Sequence, residues 1–161
     1  MKKISFLFPI LITIILACED NEPIKNDNEI LNYDGLVLKA GFICGWCAGG
    51  DSVTITENVT YYEYTNYCYN GGYDSTRATD EETWQELNNL LDLDKLLAID
   101  INKCYMCADG CDTWIAIEYD TISHYIRFGY QDSAIVAPVQ PLIDKLNEIR
   151  ISMQMQFLED L

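Results

Sequence analysis

The sequence predicts an α+β fold: an antiparallel sheet built from two hairpins with two helices, stapled by disulfides. Apolar residues alternate in two stretches, 51–66 and 112–130, which is typical of strands with one buried face. They recur at helical spacing in two others, 79–91 and 138–157. The order strands, helix, strands, helix is typical of α+β layers, and a β-type run at 34–43 comes before it.

The first hairpin is predicted within residues 51–66. A three-residue loop at 56–58 would set Val59 opposite Ile55. Asn58 would then take the left-handed conformation, which asparagine tolerates better than most residues.

The first helix is predicted to begin at a capping box, because Thr79 lies three residues before Glu82. Trp84, Leu87 and Leu91 then fall on one helical stripe. We expect a short amphipathic helix.

The second hairpin is predicted to turn at residues 120–121. A two-residue turn there sets Ile117 opposite His124 and Ile115 opposite Ile126. His124 is the only histidine. We therefore expect a core or rim residue that bonds to a neighbour, rather than a catalytic base.

The last segment predicts a second, longer helix. Pro138 and Pro141 suit its first turn. Its apolar positions share one face at helical spacing: Val139, Leu142, Ile143, Leu146, Ile149, Met153 and Phe157.

The N-terminus predicts export. Lys2 and Lys3 precede a run without charge, Ile4 to Ala17, which is typical of a signal peptide at residues 1–17. The run has fourteen residues, whereas a membrane-spanning helix needs roughly 20. A permanent spanning helix is therefore the weaker interpretation.

The residues before Cys18, Ile15-Leu16-Ala17, resemble the lipobox of bacterial lipoproteins. The resemblance implies that the Cys18 thiol carries diacylglycerol and that its amino group is acylated, for instance with palmitate. Such an anchor holds a protein stably on a membrane. The order of elements and cysteine pairs is also similar to small cysteine-containing lipoproteins of Bacteroidota, which carries over no activity.

Residues 18–33 are acidic and polar, and we interpret them as a flexible tether. Glu19, Asp20 and Glu22 resemble the surface-export signal of Bacteroidota lipoproteins; the alternative is an ordinary solvated linker. The expected location is the bacterial outer membrane or the cell surface. Residues 34–161 then form a single globular domain.

The chain is strongly acidic, with a formal net charge of -16. Removal of Lys2 and Lys3 with the signal makes it -18. Phosphate binding depends on lysine and arginine, so nucleic acid is excluded as a ligand. The negative field favours a basic protein as partner; alternatively, the charge only keeps the domain soluble.

Six thiols remain once Cys18 is lipidated: Cys44, Cys47, Cys68, Cys104, Cys107 and Cys111. An even number in an exported chain predicts disulfides. The sequence does not choose among the pairings. Longer loops stabilise more, so we expect at least one bridge from the 44/47 pair to the 104/107/111 group.

Two rival interpretations use the same thiols. Cys44, Cys47, Cys104 and Cys107 have a four-thiolate zinc spacing, although export disfavours free thiolates. A thiol-redox protein could instead use the Cys44/Cys47 and Cys104/Cys107 pairs. Against redox chemistry at Cys44/Cys47, glycine and a strand follow the pair rather than a helix. The prediction is therefore disulfides, with no cofactor and with zinc as the alternative.

The tract from Tyr61 to Tyr73 is rich in tyrosine, asparagine and glycine, a composition typical of binding loops. Tyr67, Tyr69 and Tyr73 are the candidate contact residues. The alternative is that these rings pack on the sheet.

No catalytic constellation stands out, and we expect a non-catalytic binding or assembly module rather than an enzyme. One alternative is an inhibitor of a basic hydrolase. The other is a zinc-binding or thiol-redox protein.

Overall fold

A computed structural model of the chain describes residues 33–68 and 71–159. Within these residues six strands form: β1 (Val37–Cys44), β2 (Gly49–Ile55), β3 (Val59–Asn66), β4 (Gly71–Ala78), β5 (Cys111–Tyr119) and β6 (Ile122–Phe128). The α-helices are α1 (Glu81–Leu90), α2 (Leu93–Leu97), α3 (Ser133–Val136) and α4 (Gln140–Glu159).

The strands form one antiparallel sheet in the order β4-β3-β2-β1-β5-β6. The first four strands follow one another as a meander, and the chain then returns through α1 and α2 to pair β5 with β1. The predicted α+β fold with an antiparallel sheet is confirmed. Of the six strands, the two predicted hairpins supply four and the predicted run at 34–43 supplies β1, whereas β4 was not expected.

One face of the sheet holds the core. Residues buried against the helices include Leu38, Ala40, Val53, Ile55, Ile115, Ile117 and Ile126. The helices contribute Trp84, Leu87, Leu142, Ile143, Leu146 and Ile149. Each large apolar side chain buried this way stabilises the fold by about 1.5–3 kcal/mol.

The second hairpin has the predicted register. Ile117 lies opposite His124 and Ile115 opposite Ile126. Asp120 takes a positive φ of 51° at the turn. The His124 Nε2 atom lies 3.0 Å from the Ile99 carbonyl oxygen, so the ring bonds to a neighbour as expected.

The first hairpin was predicted one residue out of register. Thr60, not Val59, lies opposite Ile55. The Thr56 N–H donates to the Val59 carbonyl at 2.9 Å, so the loop contains two residues rather than three. A shift of one residue exchanges the two faces of a strand. Val59 is therefore exposed, whereas Thr60 is buried; Asn58 does not take the left-handed conformation.

The first helix begins one residue later than its predicted capping box. Asp80 is the N-cap, and its Oδ1 atom accepts the Thr83 N–H at 2.7 Å. Trp84, Leu87 and Leu91 form the expected buried stripe. The chain then starts a separate short helix, α2, rather than extending α1.

The predicted face is buried from Val139, the residue before α4, to Met153 within that helix. The Phe157 side chain and the whole of residues 1–32 lie outside the described residues. The lipobox Cys18 and the acidic Glu19, Asp20 and Glu22 are among them, so those predictions stay predictions. No described helix combines the length and apolar character needed to cross a membrane.

Candidate binding site at the disulfide end

All six described cysteines are paired, and the pairs lie at one end of the sheet. The bridges are Cys44–Cys111, Cys47–Cys68 and Cys104–Cys107. We call residues 44–49, 67–68 and 104–111 the disulfide end. The Gly45 N–H donates to the Gly110 carbonyl at 3.0 Å, which joins the first and last of these segments.

The expected bridge between the two cysteine groups is Cys44–Cys111. These residues are also direct partners in the register of β1 and β5. The three bridges separate their cysteines by 67, 21 and 3 residues. Loop-closure entropy gives stabilisations of about 4, 3 and 2 kcal/mol in that order.

The alternative zinc ligands do not form one site. Cys44 and Cys47 belong to different bridges, while Cys104 and Cys107 bond to each other. No three histidine, cysteine, aspartate or glutamate side chains of residues 33–68 and 71–159 converge as metal ligands. Cys44 and Cys47 also do not form a disulfide with each other, as a redox pair would.

The connection between β1 and β2 is a tight turn in a costly conformation. Trp46 and Cys47 both have positive φ, 52° and 64°. The Ala48 N–H donates to the Gly45 carbonyl at 3.2 Å and closes the turn. Two successive positive φ values are typical of a type I′ turn, which normally contains asparagine and glycine. Each such residue costs about 1–3 kcal/mol.

This turn displays Trp46 to solvent. The side chain is 80% exposed, although tryptophan is usually well buried. Cys44–Cys111 fixes the strand before the turn, and Cys47–Cys68 fixes the turn itself. Sequence reasoning missed Trp46. The available signal was that only seven residues, 44–50, separate two β-type runs, and that two of the seven are cysteines.

Tyr67 lies beside the bridge that holds the turn and is 57% exposed. It lines a groove of about 460 Å³ between the ends of β3 and β4, together with Glu63, Tyr64, Tyr73 and Asp74. It also lines a smaller cavity of about 150 Å³, which Ile43 and Trp114 share. Of the two contact candidates that the structure describes, Tyr67 and Tyr73, Tyr67 is therefore the one placed at an open surface.

Tyr73 is half-buried and has a packing role. Its ring centroid lies 5.3 Å from that of Tyr64 and 5.7 Å from that of Tyr62. Burial, followed by the hydrogen bond with Tyr73, raises the pKa of Tyr62 far above its usual value. Tyr69 lies outside the described residues. Tyr73 thus lines the groove and supports its wall by packing against Tyr62 and Tyr64.

The groove is negative. Its described lining contains the carboxylates of Glu63 and Asp74 and no lysine or arginine. Aromatic faces and carboxylates together are the groups that attract lysine or arginine side chains. The groove can therefore accept cationic side chains of a partner.

A buried ion pair joins α4 to the sheet close to the disulfide end. Arg150 on α4 places Nη1 2.6 and 2.5 Å from the two carboxylate oxygens of Asp51 on β2. The Tyr62 hydroxyl donates to Asp51 Oδ2 at 3.0 Å. The Arg150 guanidinium also lies 5.6 Å from the centroid of the Phe42 ring. These contacts fix α4 against the strands that carry the disulfide end.

The loop before β5 is held by two buried carboxylates. Asp112 accepts the N–H groups of Tyr105 at 2.7 Å and Met106 at 3.2 Å. Asp132 accepts from Lys103 Nζ at 2.5 Å and from the Tyr105 hydroxyl at 3.2 Å. Burial alone would raise the pKa of Asp132, but these hydrogen bonds and that of the Gly129 N–H outweigh it and lower the pKa.

No family model and no curated protein matches this chain.

Proposed function

We propose that the protein is a non-catalytic binding module of the bacterial envelope, held by lipid at Cys18 on the outer membrane or cell surface. Its contact surface is the exposed part of the disulfide end, Trp46 and Tyr67, with the neighbouring groove. The partner is a basic protein.

The conformation of Trp46 is the observation that carries the proposal. A strained residue persists only where the surrounding structure enforces it, and such strain occurs preferentially at functional sites. Here two bridges fix the backbone of the turn, and that turn presents an exposed indole. A rigid aromatic side chain loses little entropy on binding, so it contributes affinity efficiently.

Charge supports a basic partner. The chain carries a net charge of -16, and Glu63 and Asp74 add carboxylates to the groove next to Tyr67. A lysine or arginine of the partner can pair with these carboxylates and lie over the face of an aromatic ring. The long-range field would also speed the encounter at low salt.

The test uses an arginine-rich peptide as probe, with a glutamate-substituted peptide of the same length as its control. We expect the full chain to bind the first peptide, and to bind it more weakly as salt is raised. The Trp46→Asn and Tyr67→Ser variants should each bind at least tenfold more weakly, about 1.4 kcal/mol.

The matched control is Tyr61→Ser. Tyr61 is an exposed tyrosine on β3, the strand that directly precedes Tyr67, but it lies outside the disulfide end. This variant should bind as the unchanged chain does. Binding that ignores salt, or that survives both the Trp46 and Tyr67 changes, would contradict the proposal.

The same surface could act as an inhibitor of a basic hydrolase, because a rigid turn with an exposed indole can enter a cleft. Inhibition differs from simple binding in one measurement. An inhibitor should block hydrolysis of a small substrate by a basic hydrolase in proportion to its occupancy, and Trp46→Asn should restore the activity.

A further inference from the structure

The Cys104–Cys107 bridge differs from the other two in what it holds together. Cys44–Cys111 joins β1 to β5, and Cys47–Cys68 fixes the strained turn. Cys104–Cys107 closes only a four-residue loop. By loop-closure entropy it therefore stabilises the fold least.

The loop around this bridge keeps its shape by other means. Asp112 binds the backbone N–H groups of Tyr105 and Met106, inside the disulfide ring itself. The Gly110 N–H donates to the Tyr105 carbonyl at 2.9 Å. Lys103 bonds to Asp132 just before the ring. Opening the bridge would leave these contacts in place, so reduction does not require unfolding.

The two sulfurs are not equivalent. Cys107 is exposed, whereas Cys104 is half-buried. Arg127 Nη2 donates to Cys104 Sγ at 3.1 Å. The guanidinium is fixed in this position because its Nε also donates to buried Asp112 at 2.8 Å. A negative charge that develops on the Cys104 sulfur would thus meet a cationic donor already in place.

We propose that Cys104–Cys107 is a thiol-exchange site, at which Cys107 is attacked and Cys104 is the leaving group. The co-reactant is a dithiol, such as a pair of cysteines on another envelope protein. This function is independent of the binding surface at Trp46.

The exchange conserves atoms and electrons in two steps. One thiolate of the dithiol attacks Cys107 Sγ, a mixed disulfide forms, and the electron pair of the broken bond leaves with Cys104 as a thiolate. The second thiolate of the co-reactant attacks its own bonded sulfur and expels the Cys107 thiolate. The co-reactant is oxidised to a disulfide, Cys104 and Cys107 are reduced, and two electrons move. The two protons of the dithiol end on the new thiols or in solvent.

Cys47–Cys68 is the nearest competitor, since both of its residues are exposed. Among the described residues, no lysine or arginine donates a hydrogen bond to either of its sulfurs. The neighbouring groove presents Glu63 and Asp74, which repel an incoming thiolate. Because the attacked Cys107 is as open to solvent as these two cysteines, the charge around the sulfurs should decide the rate in favour of Cys104–Cys107.

The test is limited reduction of the folded full chain with dithiothreitol, followed by acid quenching, alkylation and peptide mapping. We expect Cys104 and Cys107 to be alkylated together, at least tenfold faster than the other four cysteines, with an unchanged circular dichroism spectrum. With glutathione as a monothiol, the trapped mixed disulfide should be on Cys107. Simultaneous opening of all three bridges, opening of Cys47–Cys68 first, or a glutathione adduct on Cys104 would overturn the proposal.

The Arg127 contact is tested with the Asp112→Asn/Arg127→Gln double variant, which avoids leaving a buried carboxylate unpaired. Exchange should slow at least tenfold, while the adduct still forms on Cys107. Arg77→Gln is the control, because Arg77 is also a sheet arginine but bonds to Ser152. It should leave the rate unchanged. An equal rate in the folded double variant would show that Arg127 does not assist the leaving sulfur, and the proposed assignment would be wrong.

Discussion

Trp46 and Cys47 both adopt a backbone conformation that their residue types disfavour. An asparagine would adopt the positive φ of position 46 at lower cost than tryptophan. Two such residues cost about 2–6 kcal/mol together. The bridge from Cys47 returns about 3 kcal/mol of that through loop closure. The strain of this turn thus lowers the stability of the fold, and the same turn exposes the indole of Trp46.

The strain at position 46 predicts an effect on the free energy of unfolding. Trp46→Asn should raise the free energy of unfolding by about 1 kcal/mol, because asparagine relieves part of the strain and little buried surface is lost. Urea unfolding with all bridges intact measures it. As control, Tyr130→Asn replaces a ring that is 95% exposed and has no positive φ. It should change stability by less than about 0.5 kcal/mol. Destabilisation by Trp46→Asn beyond that of the control would contradict the strain argument.

At the scale of elements, apolar periodicity predicted the strands and helices that pack against the core, and it missed the strand that does not. The β5–β6 register was right because Ile115 and Ile117 must both face inward around a two-residue turn. The β2–β3 register failed because Thr56 and Val59 pair with each other and shorten the loop. Strand β4 was missed because it is a polar edge strand that buries little of its surface.

The attachment of α4 to the sheet gives a prediction at this scale. Arg150→Met should destabilise the protein by about 3–5 kcal/mol, because it leaves buried Asp51 without its partner. The double variant Asp51→Asn/Arg150→Met should recover most of that loss, since no buried charge remains. Chemical unfolding of Arg150→Met, Asp51→Asn and the double variant forms a complete double-mutant cycle. Additive effects would show that the pair does not fasten α4.

At the scale of the whole molecule, the sequence identified the cysteines as disulfides but not their arrangement at one end. The preference for long loops predicted a bridge between the 44/47 pair and the 104/107/111 group, but not that it joins Cys44 to Cys111. Cys47–Cys68 was not predicted, because its partners are brought together by the strained turn. The candidate site could be predicted only as far as Tyr67, since the exposure of Trp46 depends on a backbone conformation that propensities disfavour.

The anchor is also a prediction about the whole molecule. Cys18→Ala should abolish lipid labelling and release the chain from membranes, because the proposed anchor is the acyl chains on Cys18. Fractionation of an exporting host, with radiolabelled fatty acid, measures both effects. Cys68→Ala serves as a control that removes a thiol and should keep the label. A Cys18→Ala chain that stays on the membrane after signal cleavage would contradict the lipobox interpretation.

The direction of β1 has a consequence for orientation at the bilayer. The described chain starts at Tyr33, whose ring lies 5.0 Å from that of Tyr119 beside the β5–β6 turn. From there, β1 runs for eight residues, about 26 Å, to Cys44 at the disulfide end. Under the proposed acylation of Cys18, the link to the lipid enters the described domain at Tyr33, the pole that carries the β5–β6 turn. Trp46 and Tyr67 then occupy the distal pole, where a water-borne macromolecule can reach them without contacting the membrane.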